Sequence, residues 1–218
     1  MTAAALADRL DALLPQTQCR RCGFDGCRPY AEALAAGETA PNRCPPGGVA
    51  TLAALAAELA ITAPEPDRSV WPAERAPASF HQVARIDEAI CIGCYKCVLA
   101  CPVDAIIGTR KFLHTVLADD CSGCELCLPP CPVDCITMEP RNEAATLPPD
   151  TAPAVTPARA RRWRSQHDAR RERLMREDAA RDEARRQRRA ATMKDQAQTY
   201  DLAAAIARAR ARKETPST

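Results

Sequence analysis

The sequence predicts an α+β protein: a small helical unit organised by four cysteines, a compact unit organised by eight, and a long basic C-terminal helix. Three observations predict it. The run Cys91–Ile106 recurs at Cys121–Ile136 with a constant offset of 30 residues. A unit that short cannot bury a hydrophobic face alone, so the two copies are expected to pack on each other as a pseudo-twofold pair. Cys19, Cys22, Cys27 and Cys44 follow a C-x2-C-x4-C-x16-C spacing flanked by helical periodicity. From Ala158 to Lys213 the chain is dominated by Ala, Arg, Glu and Gln, with no Gly or Pro to interrupt a helix. The boundaries expected are a first domain at 1–62, a linker at 63–82, a repeated domain at 83–141 (copies at about 83–111 and 112–141), a Pro-rich linker at 142–157 and a basic tail at 158–218.

Composition bounds the answer further. Of 218 residues 46% are hydrophobic, but much of that is Ala and Cys, and aromatics make up only 4%. Compact parts with so few large side chains draw much of their folding free energy from bound metal. The 13 cysteines sort into the four, the eight and Cys135. With no secretory signal read at the N-terminus, cysteines this dense are expected to be metal ligands rather than disulfides. Residues 1–158 carry 12 Lys and Arg against 19 Asp and Glu, a net of −7, and residues 159–218 carry 18 against 9, a net of +9. An acidic body thus joins a basic tail. No stretch reaches the roughly 18 apolar residues of a membrane span, and a soluble, cytoplasmic chain is expected.

Taken in order, residues 3–14 set Leu6, Leu10, Leu13 and Leu14 on one helical face, with Asp8 and Arg9 outside it and Pro15 as the stop. In the first cysteine motif Gly23 and Gly26 bracket a tight loop. Pro29 suits the first turn of a helix running to Ala36, and Gly37 suits its C-terminal cap. That helix returns the chain so that Cys44 closes a site with the first three cysteines, and Pro45-Pro46-Gly47-Gly48 turns it into a second helix from Val49 to about Leu59. Spacing alone leaves two fillings for the site, a [4Fe–4S] cluster or one zinc ion. In the linker that follows, Trp71 and Phe80 are expected to pin the chain to a domain surface.

Each repeat of the second unit is a C-x2-C-x2-C-x3-C-P run, the bacterial ferredoxin pattern, whose fourth cysteine ligates the partner cluster. One [4Fe–4S] cluster is therefore assigned to Cys91, Cys94, Cys97 and Cys131, and another to Cys101, Cys121, Cys124 and Cys127. Zinc is the competing reading, but zinc sites pair two C-x2-C units across a long gap, and this pattern does not. Pro102 and Pro132 are expected to end a short helix in each copy. Gly93 and Gly123 are expected where backbone passes close to a cluster. Ala84–Ile86 should pair with Ile136–Met138, and Ile106–Ile107 with Thr115–Leu117. Ile90, Ile92, Val98, Leu99, Val103, Ile106, Leu126, Val133 and Ile136 are expected to form a dry shell. Cys135 reads as a small buried hydrophobe, His114 as a half-exposed strand residue, and Asp104 and Asp134 as turn caps.

In the tail, Glu172/Arg176, Glu177/Arg181 and Asp182/Arg186 offer ion pairs one turn apart. Large apolar residues, Trp163, Leu174, Met175 and Met193 among them, are too few for a core. Two readings stay open: a solvated helix, or a docking arm for an acidic partner or anionic surface. Interleaved Asp and Glu argue against nucleic acid.

The order of motifs resembles the B subunit of the Rnf/Rsx electron transport complex. The likeness covers roughly residues 15–140 and includes the phrases Cys27-Arg28-Pro29-Tyr30-Ala31-Glu32-Ala33, His114-Thr115-Val116 and Asp134-Cys135-Ile136. It implies a third [4Fe–4S] cluster at Cys19, Cys22, Cys27 and Cys44, and electron transfer with a reductase, ferredoxin or other subunits of such a complex. As a subunit, the chain would be part of an ion-translocating ferredoxin:NAD oxidoreductase. Members of that family begin with an apolar anchoring helix. None is read here, so a soluble variant is expected, with peripheral association on the inner face of the cell membrane through the basic tail. No side chain reads as a catalyst, and no dinucleotide, Walker or flavin motif is present. The function expected is passage of single electrons through three [4Fe–4S] clusters, the alternative being a redox-sensing or regulatory protein.

Overall fold

A computed structural model describes residues 2–71, 81–141 and 155–214. The chain divides into two compact units, Met1–Arg170 and Arg171–Thr218.

The first unit opens with α1 (Ala3–Leu13), capped by the Thr2 hydroxyl, which accepts from the Ala5 N–H at 3.3 Å. Leu10 and Leu14 are buried as expected, but Leu13 is 37% exposed. The buried side of the helix is shared with Asp11, whose carboxylate is paired with Arg164, so Leu13 is left at the edge. The next helix, α2 (Cys27–Ala35), has Pro29 in its first turn. It closes with Gly37 at φ +73, the Gly37 N–H reaching Leu34 O at 3.1 Å and the Glu38 N–H reaching Ala33 O at 2.9 Å. That double closure needs the left-handed backbone that glycine takes without strain. A single 3₁₀ turn at Pro45–Gly47 leads into α3 (Gly48–Glu58), which buries Leu52, Leu55 and Ala56. Tyr30 and Leu34 from α2 join Leu10, Leu14 and Leu55 in one apolar cluster around Cys22 and Cys27. Trp71 is buried, as expected of a pin; Phe80 and residues 142–154 of the second linker lie outside the described residues.

The repeated unit follows. β1 (Gln82–Ile86) pairs antiparallel with β4 (Ile136–Pro140), Ile86 opposite Ile136 and Gln82 opposite Pro140. Between them lie α4 (Lys96–Ala100), β2 (Ile106–Ile107) and β3 (Thr115–Val116), with β2 and β3 paired antiparallel. Both pairings match the expected ones, and the first is longer. The repeat is written into the backbone as well as the sequence. Gly93 and Gly123, Tyr95 and Glu125, and Asp104 and Asp134 are all left-handed, each pair offset by the repeat.

Several expectations are corrected here. The short helix forms only in the first copy. In the second, Pro129 and Pro130 leave a series of turns, because proline withholds the N–H that a helix needs. Gly93 and Gly123 have a further requirement from neighbouring backbone, whatever lies on the cysteine side: a Cβ would lie 2.7 Å from the Phe112 main chain at Gly93 and 2.4 Å from Gln82 O at Gly123. Of the expected dry shell, Val103, Ile106 and Ile136 are buried and Val98 and Val133 pack against them, but Ile90, Ile92 and Leu99 are exposed. Ile90 lies just before the first cysteine loop, Ile92 within it and Leu99 on α4. Asp104 and Asp134 do more than cap turns, since each holds a left-handed position that Asp tolerates, and Asp104 also pairs with Arg170 at 3.2 Å.

The last helix, α5 (Pro157–Glu214), is continuous. Its first turns belong to the first unit. Trp163 is only 2% exposed and lies in the same core as Val103, Ala105 and Ile136. Arg162 and Gln166 both reach Asp120 at 2.5 Å. The expectation of a helix solvated throughout, or free to dock elsewhere, is thus corrected for residues up to Arg170. In the second unit most side chains are exposed. Among the described residues the pairs that form there are Arg173–Glu177, Arg181–Asp178 and Arg186–Glu183, in place of the three expected. On a helix each charge has neighbours on both sides, and Glu177 is taken by Arg173 from the preceding turn. No described helix is long and apolar enough to cross a membrane.

Candidate metal centres

The first candidate centre is set by the loop between α1 and α2. Its backbone alternates through left-handed positions at Gln16 (φ 57), Gln18 (φ 55) and Arg20 (φ 59). This turns the two glutamine side chains inward, where both are buried. Gln16 Nε2 donates to Asp11 Oδ1 at 3.0 Å, Gln18 Nε2 donates to Gln16 Oε1 at 2.9 Å, and Gln18 Oε1 accepts the Cys27 N–H at 2.9 Å. Gly26 is needed beside this chain, since a Cβ would lie 2.7 Å from Gln18 Oε1. Cys19, Cys22, Cys27 and Cys44 line one cavity with Tyr30, Pro45 and Pro46. Burial pushes the Cys27 thiol up to about 12, with the charges of Cys19 and Cys22 adding to it. Burial also raises Cys22 and Cys44, helped by the neighbouring cysteines. The roles of Asp11, Gln16 and Gln18 are not visible in the sequence, where they read as ordinary polar residues.

In the repeated unit the thiols fall into further groups. Burial raises Cys97 to about 11, and the charges that add to this come from Cys94 and Cys91. Burial raises Cys101, and there the opposing charge comes from Cys121, across the repeat. Cys124 is raised to about 12 by burial and then by Cys101 and Cys121. Cys127 is raised by burial and then by Cys124, Cys121 and Cys101. Cys131 behaves differently: burial alone would raise it, but the N–H groups of Val133, Cys135 and Asp134 and the Cys135 thiol outweigh burial and lower it. Main-chain donors also reach Cys101 Sγ from Ala105 N at 3.2 Å and Cys121 Sγ from Ala84 N at 3.5 Å. Cys135 is buried, with its Sγ 3.5 Å from that of Cys131 and its thiol pushed up to about 12 by burial, then Cys131 and Cys91.

His114 is the main correction at this site. It is only 1% exposed, with Nδ1 3.4 Å from Cys97 Sγ and 3.9 Å from Cys91 Sγ. The ring fits because Gly108 has no Cβ; one would lie 2.4 Å from His114 Cδ2. Two contacts also set the first centre beside the second copy. The Ser122 hydroxyl donates to Thr17 O at 2.8 Å, and Arg21 pairs with Glu125. Arg21 lies between Cys19 and Cys22, and Glu125 between Cys124 and Cys127.

The chemistry of these donors fits iron–sulfur clusters. All 13 cysteines are free thiols. Buried thiols that oppose one another's charge cannot ionise together without a cation, and an iron core supplies one. N–H groups directed at sulfur complete the usual surroundings of such a cluster.

Comparison with known proteins agrees. Residues 84–138 match a family model described as a 4Fe-4S dicluster domain, and residues 14–46 match one described as "Putative Fe-S cluster". The B subunit of the ion-translocating oxidoreductase complex from Alkalilimnicola ehrlichii is 60% identical over 135 residues, covering 62% of this chain and 70% of that protein. The proteins of the same name from Pseudomonas paraeruginosa and Shewanella oneidensis are 61% and 58% identical, and the match covers 61% and 62% of this chain and 66% of each of theirs.

Proposed function

We propose, from the premise that this chain belongs to the family of B subunits of the ion-translocating oxidoreductase complex, that it relays single electrons through three [4Fe–4S] clusters. It is an iron–sulfur electron-transfer protein. The assignment proposed is Cys19, Cys22, Cys27 and Cys44 for the first cluster, Cys91, Cys94, Cys97 and Cys131 for the second, and Cys101, Cys121, Cys124 and Cys127 for the third. A cluster of this kind accepts and releases one electron at a time. The observation that carries the reading is the grouping of the thiols. Cys101 is opposed by Cys121, Cys124 and Cys127 rather than by its own run, as the exchange of fourth ligands requires.

The chain's own residues do the rest. The Asp11–Gln16–Gln18 chain holds the first cysteine loop, and main-chain N–H groups face the sulfurs of Cys101 and Cys121. The Thr17–Ser122 and Arg21–Glu125 contacts favour the order first, third, second cluster. The partners proposed are a reductase, a ferredoxin or other subunits of such a complex, met by the acidic body and placed on the inner face of the membrane, with the basic tail as the peripheral contact. The domain division at 62, 83, 141 and 158 belongs to this proposal. No feature of the site favours the redox-sensing reading.

Redox cycling tests the function. Anaerobic protein mixed with a reduced low-potential one-electron donor is expected to lose visible absorption and regain it when an acceptor is added, through repeated cycles. Bleaching that does not recover would count against a carrier.

A further inference from the structure

We propose that His114 donates its Nδ1–H to the Cys97 sulfur and so raises the reduction potential of the cluster at Cys91, Cys94, Cys97 and Cys131 above that of its twin. The inference rests on the cluster assignment proposed above. The offset of 30 residues places His114 on Ala84 and Cys91 on Cys121. The structure keeps that relation: Ala84 lies at Cys121, to which its main-chain N–H donates at 3.5 Å, and His114 lies at Cys91, 3.9 Å away. The side chains then differ. Ala84 offers a methyl group. His114 offers an imidazole whose Nδ1 lies 3.4 Å from Cys97 Sγ. At these matching positions one site has a side-chain donor, and the other has none.

The direction of this hydrogen bond follows from chemistry. An iron-bound cysteine sulfur carries no proton and can only accept. Nδ1 must then hold the hydrogen. Nε2 is buried and has no hydrogen-bond partner among the described residues. A buried polar atom without a partner is costly. It is retained here with the ring held by the absence of a side chain at Gly108 and by the edge of Tyr95, whose ring centroid is 6.1 Å away. An N–H directed at sulfur draws electron density from it and favours the reduced, more negative cluster. The Thr17–Ser122 contact sets the first centre beside the other member of the pair. The electron is therefore held at the end of the relay remote from Cys19.

The test uses the full chain, purified anaerobically, as wild type, His114→Ala and His114→Asn, with redox titration followed by EPR and iron counted in each. In His114→Ala the equilibrium constant for reducing one cluster of the pair should fall about tenfold, or about 59 mV for one electron, with the other unchanged. His114→Asn, whose amide N–H reaches the same place, should retain most of the wild-type value. Pulsed EPR of the reduced wild type should show a nitrogen coupling that shifts on ¹⁵N-histidine labelling. Unchanged potentials in an iron-replete His114→Ala protein would overturn the proposal. So would a wild-type signal without a histidine coupling, a result that still decides the matter if His114→Ala loads no iron. A wild-type protein short of iron in the twin sites would instead overturn the cluster assignment on which it rests.

Discussion

Replacing Cys101 with serine is expected to remove the cluster shared with Cys121, Cys124 and Cys127 and to spare the one held by the three cysteines of its own run. Cys101 is the residue after α4, and the Ala105 N–H reaches its sulfur at 3.2 Å. The charges that act on it come from the second repeat. A serine hydroxyl is a poor substitute for thiolate at iron. Anaerobically purified Cys101→Ser protein should thus lack about four of twelve iron atoms, and its reduced EPR spectrum should lose the broadening that a close pair of clusters gives. The matching change, Cys131→Ser, should remove the other cluster. Loss of the Cys91, Cys94, Cys97 cluster on changing Cys101 would show that each run keeps its own four cysteines.

The second large effect is expected at Trp163. This residue is far along the sequence from the cysteine runs, yet it is 2% exposed, and Arg141 lies over its ring at 5.7 Å. Truncating a buried Trp to Ala costs about 3–5 kcal/mol through lost burial and the cavity left behind. The same turns of α5 carry Arg164, which pairs with the buried Asp11, and removing one partner of a buried pair adds to the cost of loosening this helix. Trp163→Ala should lower the thermal midpoint of cluster bleaching and of helix melting by about 10 °C. A chain ending at Arg170 should melt close to the full-length value. Equal midpoints for Trp163→Ala and wild type would mean that the first turns of α5 do not hold the body together.

These two residues also show what a sequence can reveal. The cysteine runs repeat at a fixed offset, and the two short strand pairs that flank them are legible from spacing and alternation. Trp163 reads as part of a uniform basic helix, because nothing in a run of Ala and Arg marks where a helix leaves a surface. His114 reads as half-exposed because every ligand position is already filled. Its burial depends on Gly108, six residues away, whose missing side chain makes the room. Gln16 and Gln18 become structural only through three left-handed backbone positions that no local residue pattern predicts. Ile92 and Leu99 depart from expectation for the converse reason: an apolar residue beside a cysteine reads as shell, yet both side chains are exposed, Ile92 from its loop and Leu99 from α4.

All twelve cysteines of the three motifs are proposed to hold iron in a single electron path. The most direct measurement is iron, acid-labile sulfide and zinc per chain on anaerobically purified protein, with EPR after reduction by dithionite. About twelve iron and twelve sulfide, no zinc, and a spin-coupled pair beside a third signal are predicted. About eight iron with one zinc would contradict the claim. Cys19, Cys22, Cys27 and Cys44 would then be a structural zinc site, and the relay would begin and end within the repeated unit.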